Sequence, residues 1–387
     1  MKRYIYRIIK RKLGWYLKTN RFTKRIIQKR IQARNAREWD SLVEFIETAE
    51  KVVLKGCKLN IGIVKDEDDL SFGLITYWPK FERFVKNNDI KYSFLNIHSE
   101  NWIQEAKNYD LIVWRPFSDP ASMYEQITKI SFVEDHLKIK CHPSSRELWT
   151  YEDKVRVYYL LSSHNLPIIP TFISFDEKEC LAKLDSFYYP LVSKANVGSS
   201  SISVKKLNTR SAAKRFIQKA FSTGVNSGFP YFKQKGYVYF QKYIDDAPYD
   251  LRIIIIGEKI FGYYRMKPRN DFRASGADLV SEGGQLPLDV VKMAFKVKEV
   301  MPSTMLAVDF LKSEKEQTHR IIETSINTDI TSPSELERDG ISGYYTLNGE
   351  RLEFHEGKYW LQEFIMEELI NSMDQNTSII KTDPCTG

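Results

Sequence analysis

The sequence predicts a mixed α/β protein, with a small parallel α/β unit leading into a larger, strand-rich body. Three observations carry this. Between residues 45 and 140 short apolar strands alternate with helical stretches, residues 252–265 form a long hairpin pattern, and a second strand pair brackets a polar loop between residues 305 and 323. With 387 residues, 42% of them hydrophobic, the chain exceeds one typical domain and can bury a real core, so two or three structural units are expected. Its 22 Tyr, 22 Phe and 7 Trp argue against general disorder.

The first element is a basic segment. Residues 1–37 hold fourteen Lys or Arg and no acidic residue, and Ile5, Ile8, Ile9, Leu13, Tyr16 and Leu17 recur at helical spacing. Two readings stand: a solvated helix or tail, and a helix lying on an anionic membrane surface, where each basic residue contributes on the order of 1 kcal/mol. The net charge of +8 resides in this segment, since the rest of the chain carries 44 basic against 50 acidic residues. That distribution is unlike a nucleic-acid footprint spread over a fold, and no nucleic-acid partner is expected. Cys57, Cys141, Cys180 and Cys385 are scattered without a Cys-x-x-Cys pair, which argues against a disulfide framework or zinc knuckle and for a reducing cytoplasm. No apolar run approaches the roughly 18–20 residues that span a bilayer, and no signal peptide is expected.

Strands are expected at residues 59–64, 92–95 and 110–114, with a helix around 81–87. A helix over 151–164 ends before the breakers Pro167 and Pro170. Residues 190–194 read as a strand ending in Lys194, followed by the Gly/Ser-rich run 195–201. Such a turn can wrap backbone N–H groups around phosphate oxygens, with Lys194 adding a point charge, although it also suits an ordinary surface loop. It lacks the Gly-Lys-Ser/Thr of a Walker loop. In the hairpin, two β-rich runs flank Gly257-Glu258-Lys259.

Carboxylates in or at the end of apolar strands are costly unless paired or coordinated. Asp309 and Glu323 occupy such positions, and on neighbouring strands they could converge on one cation, with Asn327 adding an amide oxygen; pairing with arginines is the alternative. Arg252, Arg265, Arg269 and Arg273 lie on or near the hairpin, where guanidinium groups suit phosphate and carboxylate oxygens or solvate an edge strand.

The order of these pieces resembles the ATP-grasp superfamily, in the branch of the ribosomal-protein glutamate ligases and glutathione synthetases. The matching run is residues 145–333. Glu152-Asp153-Lys154 resembles the family's Glu-Asp-Lys, whose lysine contacts ATP phosphate, and residues 189–194 resemble the Tyr-Pro-Val-Val-Leu-Lys that supplies a second nucleotide lysine. Gly198-Ser199-Ser200 resembles the phosphate lid. Gln241, Lys242, Tyr243 and Ile244 resemble the hinge that meets adenine, and Asp250-Leu251-Arg252 resembles an Asp-Ile-Arg with the aspartate at the ribose. Asp271-Phe272-Arg273 matches a motif whose arginine faces the transferred phosphate, and Asp309 and Glu323 fall where the family holds magnesium. Three positions depart from the pattern. Ser201 and Ser203 replace lid glycines, Glu323-Thr324-Ser325 replaces Glu-x-Asn so that Ser325 or Asn327 completes the metal site, and Lys242 replaces a hinge glutamate.

The resemblance implies an ATP-grasp fold: two lobes around ATP, preceded by the small parallel α/β domain. The expected divisions are a basic segment at 1–40, a first domain at 45–140, a small lobe with the lid at 141–245, a large lobe with the metal site at 246–372 and a flexible tail at 373–387. It implies ATP with Mg2+, or Mn2+ in its place, and a carboxylate–amine ligase that forms an acyl phosphate, with Arg273, Arg265 and Arg252 as catalytic groups. Residues 342–360 loosely resemble ATP-grasp proteins of surface-glycan synthesis, with His355 and Glu356 either meeting the acceptor or capping and packing a C-terminal subdomain. That likeness implies an amino acid or amine joined to a glycan-linked sugar acid, at the cytoplasmic face of an anionic membrane. The alternatives are a peptide- or protein-modifying ligase, and an ATP-grasp kinase or non-catalytic nucleotide-binding protein.

Overall fold

The computed structural model describes residues 43–54, 56–65, 76–197, 203–227, 229, 231–266, 281–282, 284–328, 330, 332–334 and 336–380. The basic segment 1–37 therefore lies outside the described residues, as do the lid residues 198–202 and the hairpin loop 267–280 with Arg269, Asp271 and Arg273.

A four-stranded parallel sheet comes first. Its strands are β1 (Asn60–Ile63), β2 (Lys91–Phe94), β3 (Leu111–Val113) and β4 (Lys140–His142), in the order β2-β1-β3-β4. Near-continuous apolar runs suit strands covered on both faces, and Ile61, Ile63, Leu111, Ile112 and Val113 are fully buried. Helix α1 (Trp78–Asn87) carries Pro79 in its first turn and packs Phe81, Phe84 and Val85, at helical spacing, into the core beside β1. Helices α2 (Trp102–Ala106) and α3 (Pro120–Phe132) connect the later strands, and Asp119 caps α3 by accepting from the N–H groups of Ala121 and Ser122.

Two helices then cross out of this unit. Helix α4 (Ser145–Thr150) opens on a capping box between Ser144 and Glu147, and α5 (Lys154–Ser163) is capped by Asp153. The helix expected over 151–164 is present but begins only at Lys154, with Glu152 at φ 51 in the turn that separates it from α4. Packing gives the reason. Leu148 and Tyr151 belong to the core of the parallel domain, whereas Val157 and Leu161 belong to the core of the large sheet, so the chain must turn between them.

The small lobe is a four-stranded antiparallel sheet of β5 (Thr171–Ser174), β6 (Leu191–Ser193), β7 (Lys205–Leu207) and, after the two-stranded ribbon β8 (Val225–Asn226)/β9 (Lys233–Gln234), β10 (Val238–Lys242). Its order is β5-β10-β6-β7. Helices α6 (Glu177–Ala182) and α7 (Arg210–Phe221) cover one face and enclose a core with Leu191, Phe216, Ile217, Val238 and Phe240.

The large lobe is an eight-stranded sheet: β11 (Tyr249–Ile256), β12 (Lys259–Met266), β13 (Ser281–Glu282), β14 (Met305–Ser313), β15 (Thr318–Ser325), β16 (Glu337–Arg338), β17 (Ile341–Asn348) and β18 (Arg351–Glu356). The main order is β15-β14-β11-β12-β17-β16, with β13 on β12 and β18 on β17. The expected hairpin is β11–β12, turning at Gly257 with φ 56, a backbone conformation that glycine adopts at little cost. Helix α8 (Leu288–Val300) packs on one face through Val290, Val291, Ala294 and Val297. On the other face, Ile254, Ile256, Phe261, Met305 and Ala307 share a core with α1 and with helix α9 (Leu361–Ile380).

Helix α9 runs on to Ile380, into the stretch expected as a tail, and residues 381–387 lie outside the described residues. It is held by burial of Leu361, Phe364, Ile365, Leu369 and Ile370, and by a buried ion pair between Glu363 and Arg83 of α1. Losing one partner of such a pair strands a buried charge, so this contact couples the parallel domain to the C-terminal helix.

In β1 an ideal Cβ at Gly62 would meet the Tyr109 ring at 2.8 Å, and Tyr109 is pinned by its hydroxyl contact to Ser93 Oγ at 2.7 Å. Gly62→Ala is therefore expected to destabilise the fold by about 1–3 kcal/mol in urea unfolding; a loss below about 0.5 kcal/mol would show that the ring can yield.

Candidate active site

Register brings the charged residues of the large sheet together. Across β12, β11 and β14 the backbone pairs Arg265 with Asp250 and Arg252 with Asp309, and across β14–β15 it pairs Asp309 with Glu323. Directly opposed residues share a face, so five charged side chains line one end of the face whose other end is the apolar core beneath α1 and α9. The ladder slips one place between Asp309 and Phe310, a bulge at the very carboxylate expected to be functional.

The side chains form an alternating chain of charge. Arg252 donates from Nε to Asp309 Oδ1 at 2.7 Å and from Nη2 to Oδ2 at 2.8 Å. Arg265 Nη2 reaches Asp309 Oδ2 at 2.8 Å, while Arg265 Nε and Nη2 donate to Asp250 at 2.5 and 2.8 Å. Asp309 is 2% exposed; burial alone would raise its pKa, but Arg252 and Arg265 hold it well below the usual carboxylate range. Asp250 is fully buried, and burial pushes it above that range in spite of Arg265.

The two expected lysines converge on the same point from the other side of the cleft. Lys154, the first residue of α5, places Nζ 3.2 Å from Glu323 Oε1 and 4.0 Å from Glu152. Burial works against its charge, yet Glu323 and Glu152 hold its pKa above the ordinary lysine value. Lys194 directly follows β6 and is 5% exposed; burial lowers its pKa to about 8, with Lys154 adding to the fall and Glu323 opposing it. Asn196 ties the two lysine-bearing segments together. Its Oδ1 accepts from Val155 N at 2.8 Å, its carbonyl accepts from Lys154 N at 3.3 Å, and its own N–H donates to Tyr237 OH at 2.9 Å.

The hinge is partly as expected from sequence and partly not. Gln241 is buried and donates to Thr171 Oγ1 at 3.2 Å, while Ile244 joins Ile169, Leu311 and partly buried Ile322 in a small apolar cluster. Lys242 turns outward to Glu316 at 2.5 Å, and the Tyr243 ring lies under Lys206. Asp250 departs from its expected ribose role, because both of its oxygens are committed to Arg265 beneath the surface.

His355 and Glu356 are not brought to the cleft. They lie on β18, four strand spacings from β14 and hence roughly 19 Å away. His355 stacks on Tyr344 and shares a hydrogen bond with Thr346 Oγ1 at 2.8 Å, which is a packing role in the edge hairpin. Ser199, Ser200 and Arg273 lie outside the described residues.

Sequence reasoning passed over Asn196, Tyr239 and Tyr77. Tyr239 lines the cleft with Lys154, Ile322 and Glu323, and its place two residues before Gln241 on β10 is the signal that could have found it. Tyr77, from the parallel domain, donates to the Thr328 carbonyl at 2.8 Å and accepts from Thr328 N at 3.2 Å, while Thr328 Oγ1 accepts from Arg252 Nη1 at 3.3 Å. No local pattern announces that contact.

The donor set fits a small divalent cation. Asp309 and Glu323 face the cleft side by side; three hydrogen bonds from arginine leave Asp309 roughly one of its four lone-pair directions. Asn327 Oδ1 is buried without a hydrogen-bond partner among the described residues, whereas Ser325 Oγ is spent on the Asn327 carbonyl at 2.7 Å. Two facing carboxylates, with an orphaned buried amide oxygen four residues after Glu323 along the chain, are oxygen donors of the kind that suits Mg2+.

Comparison with known proteins agrees with this geometry. The family description of a RimK-like ATP-grasp domain matches residues 151–336. The α-aminoadipate–LysW ligase LysX of Saccharolobus solfataricus is 24% identical over 247 residues, covering 61% of this chain and 84% of that protein. The glutamate–LysW ligase ArgX of Sulfurisphaera tokodaii is 25% identical over 222 residues, covering 57% and 71%. Among solved structures, the biotin carboxylase domain of the Hydrogenobacter thermophilus 2-oxoglutarate carboxylase, crystallised with MgADP, aligns with a TM-score of 0.52 at 15% identity, over 72% of this chain and 66% of that one. At that identity the likeness shows a shared fold, and residues 151–336 of this chain are a RimK-like ATP-grasp domain.

Proposed function

We propose that the chain is an ATP-dependent carboxylate–amine ligase that works through an acyl phosphate, with an amino acid as one substrate. The observation that carries this reading is the convergence of Lys154, Lys194, Glu323, Asp309, Arg252 and Arg265 on one cleft between two lobes. Similarity to ligases named for α-aminoadipate or glutamate and LysW supports the amide-forming chemistry and the amino-acid substrate.

Lys154 and Lys194, on adjoining segments across the cleft from the large sheet, bind the phosphates of ATP as point charges. Mg2+, when bound, offsets the charge of the outer phosphates, and Asp309, Glu323 and Asn327 are the groups that would hold it. Arg252 and Arg265 face the transferred phosphoryl group, already oriented by Asp309 and Asp250, so little reorganisation is needed as charge develops. The substrate carboxylate oxygen attacks the γ-phosphorus and the bond to ADP breaks. The amine then attacks the acyl carbon, its surplus proton passes to solvent, and phosphate leaves with the bonding pair. No side-chain nucleophile is required, and the chain contributes position and field.

The sugar-acid acceptor expected from the C-terminal stretch has no support from the placement of His355 and Glu356 in a packed edge hairpin. A membrane-surface location through residues 1–37 is part of the proposal only as a sequence-based expectation. Among the described residues, no helix is long and apolar enough to cross a membrane.

Asp309→Asn and Glu323→Gln are each expected to cut ADP and phosphate release by at least about 100-fold in a coupled assay over candidate acid–amine pairs, with thermal unfolding still cooperative; wild-type turnover in either variant would remove that residue from the site. ATP affinity carries a second signature. Binding favours the charged ammonium of Lys194, whose free-protein pKa is about 8, so affinity measured by calorimetry should fall as pH rises from 7 to 9. Lys194→Ala should bind ATP more weakly and with a flatter pH profile. A profile just as steep in the variant would mean that another group titrates.

A further inference from the structure

Residues 187–243 contain ten Lys or Arg and no Asp or Glu. Lys194 belongs to the cleft, Arg210 is held by Asp185 at 2.5 Å and Lys242 by Glu316 at 2.5 Å. The other seven, Lys205, Lys206, Lys214, Arg215, Lys219, Lys233 and Lys235, have no carboxylate partner among the described residues.

Helix α7 concentrates this imbalance at a cost to its own stability. Ala213, Phe216, Ile217 and Ala220 bury its apolar stripe in the lobe, which leaves Lys214, Arg215 and Lys219 on the exposed face. Arg210 with Lys214, and Arg215 with Lys219, are like-charge pairs at i,i+4, each of which weakens a helix. The first turn holds Arg210 and no acidic residue, although the helix dipole favours negative charge there. Lys205 on β7 is depressed by burial first and then by the nearby charge of Lys219. None of these repulsions serves the fold, since a glutamate at 214 or 219 would relieve them without touching the core.

At the β7 edge basic side chains border both faces of the sheet, Lys205 toward Phe216 of α7 and Lys206 toward the hinge. Edge strand β7 pairs with β6, at whose end Lys194 stands, and Lys206 Nζ lies 3.9 Å over the Tyr243 ring beside the hinge. A partner seated along α7 and β7 thus has a path to the nucleotide.

We propose that this face of the small lobe docks an acidic polypeptide, the carrier of one of the two substrates of the ligase. The inference rests on the ligase reading for the carrier's role and not for the docking itself. A lipid surface fits less well, because a membrane-lying helix buries its apolar side in lipid, and that side of α7 is spent on the lobe core. No large hydrophobic side chain is exposed on α7, β7, β8 or β9. Nucleic acid also fits less well: six of the seven charges are lysines, compact point charges without the planar fork that arginine offers a phosphate, and the exposed aromatic rings of the stretch, Tyr188 and Tyr231, stand in loops off α7 and β7, with the Tyr231 hydroxyl donating to Asp119 at 3.0 Å.

The test uses the full chain with poly-L-glutamate as probe, in parallel with phosphatidylserine vesicles, polyuridylate and ATP. Poly-L-glutamate is expected to bind at low ionic strength and to lose at least about tenfold in affinity as salt is raised to about 300 mM. The variant K214E/K219E turns both i,i+4 repulsions into attractive pairs. It should bind poly-L-glutamate at least about tenfold more weakly, with ATP affinity unchanged and Tm equal or higher. A merely structural role for these lysines would lower Tm instead. Undiminished poly-L-glutamate binding in the variant would assign the interaction to residues 1–37 and overturn the proposal, as would tighter binding of vesicles or polyuridylate that the same variant abolishes. Failure of the wild-type chain to bind ATP would sink the ligase reading, while the docking result would still be read from the variant.

Discussion

The site depends on a buried carboxylate that two guanidinium groups keep ionised. Asp309 lies deep in the large sheet, where a lone negative charge would take up a proton or unfold its surroundings. Arg252 and Arg265 reach it from the two neighbouring strands, and Asp250 neutralises the far side of Arg265. With Asp250 ionised the four charges sum to zero, and the groups satisfy most of each other's hydrogen-bonding capacity. They can therefore sit in a low-dielectric wall and still present a directed field to the cleft. Glu323, opposite Asp309 on the next strand, links this wall to Lys154 and Lys194, which arrive from other elements.

Preserving that arrangement falls to contacts far from the cleft. The face of the sheet that carries the charges turns apolar two residues further along β11 and β14, where α1 and α9 cover it. Tyr77 enters from the parallel domain and holds Thr328, which in turn holds Arg252. The first domain and the C-terminal helix are thus the back wall of the catalytic sheet, and the Arg83–Glu363 pair bolts them to one another. The small lobe is joined more lightly, through Asn196, the backbone contacts of Pro167 and Ile169 to Ile321 and the hinge network around Glu316, which suits a lobe that must admit and release nucleotide.

Much of this was legible in the sequence because the signals are local. The β11–β12 hairpin announces itself through isoleucines flanking Gly257, and the strand after Tyr189 through its apolar run into Lys194. The order of short motifs picked out Lys154, Lys194, Arg252, Arg265, Asp309 and Glu323, and all six meet at the cleft. Asp250 misled because a motif position says nothing about depth: its two oxygens serve Arg265, so it supports the site from behind. His355 and Glu356 left two readings open in the sequence, acceptor binding and packing. A polar pair in an aromatic stretch suits binding and packing equally, and only the strand order puts β18 at the far side of the sheet.

The sequence by itself determined the types of element, the family and the list of charged groups, since periodicity, turn chemistry and motif order are properties of neighbours along the chain. The tertiary structure alone decided which charges pair, which oxygen is left orphaned at Asn327, why the helix expected over 151–164 begins only at Lys154, and how far α9 extends. Those outcomes depend on strand register and on burial between segments separated by tens to hundreds of residues, where the desolvation of each group is set by whatever the fold places against it.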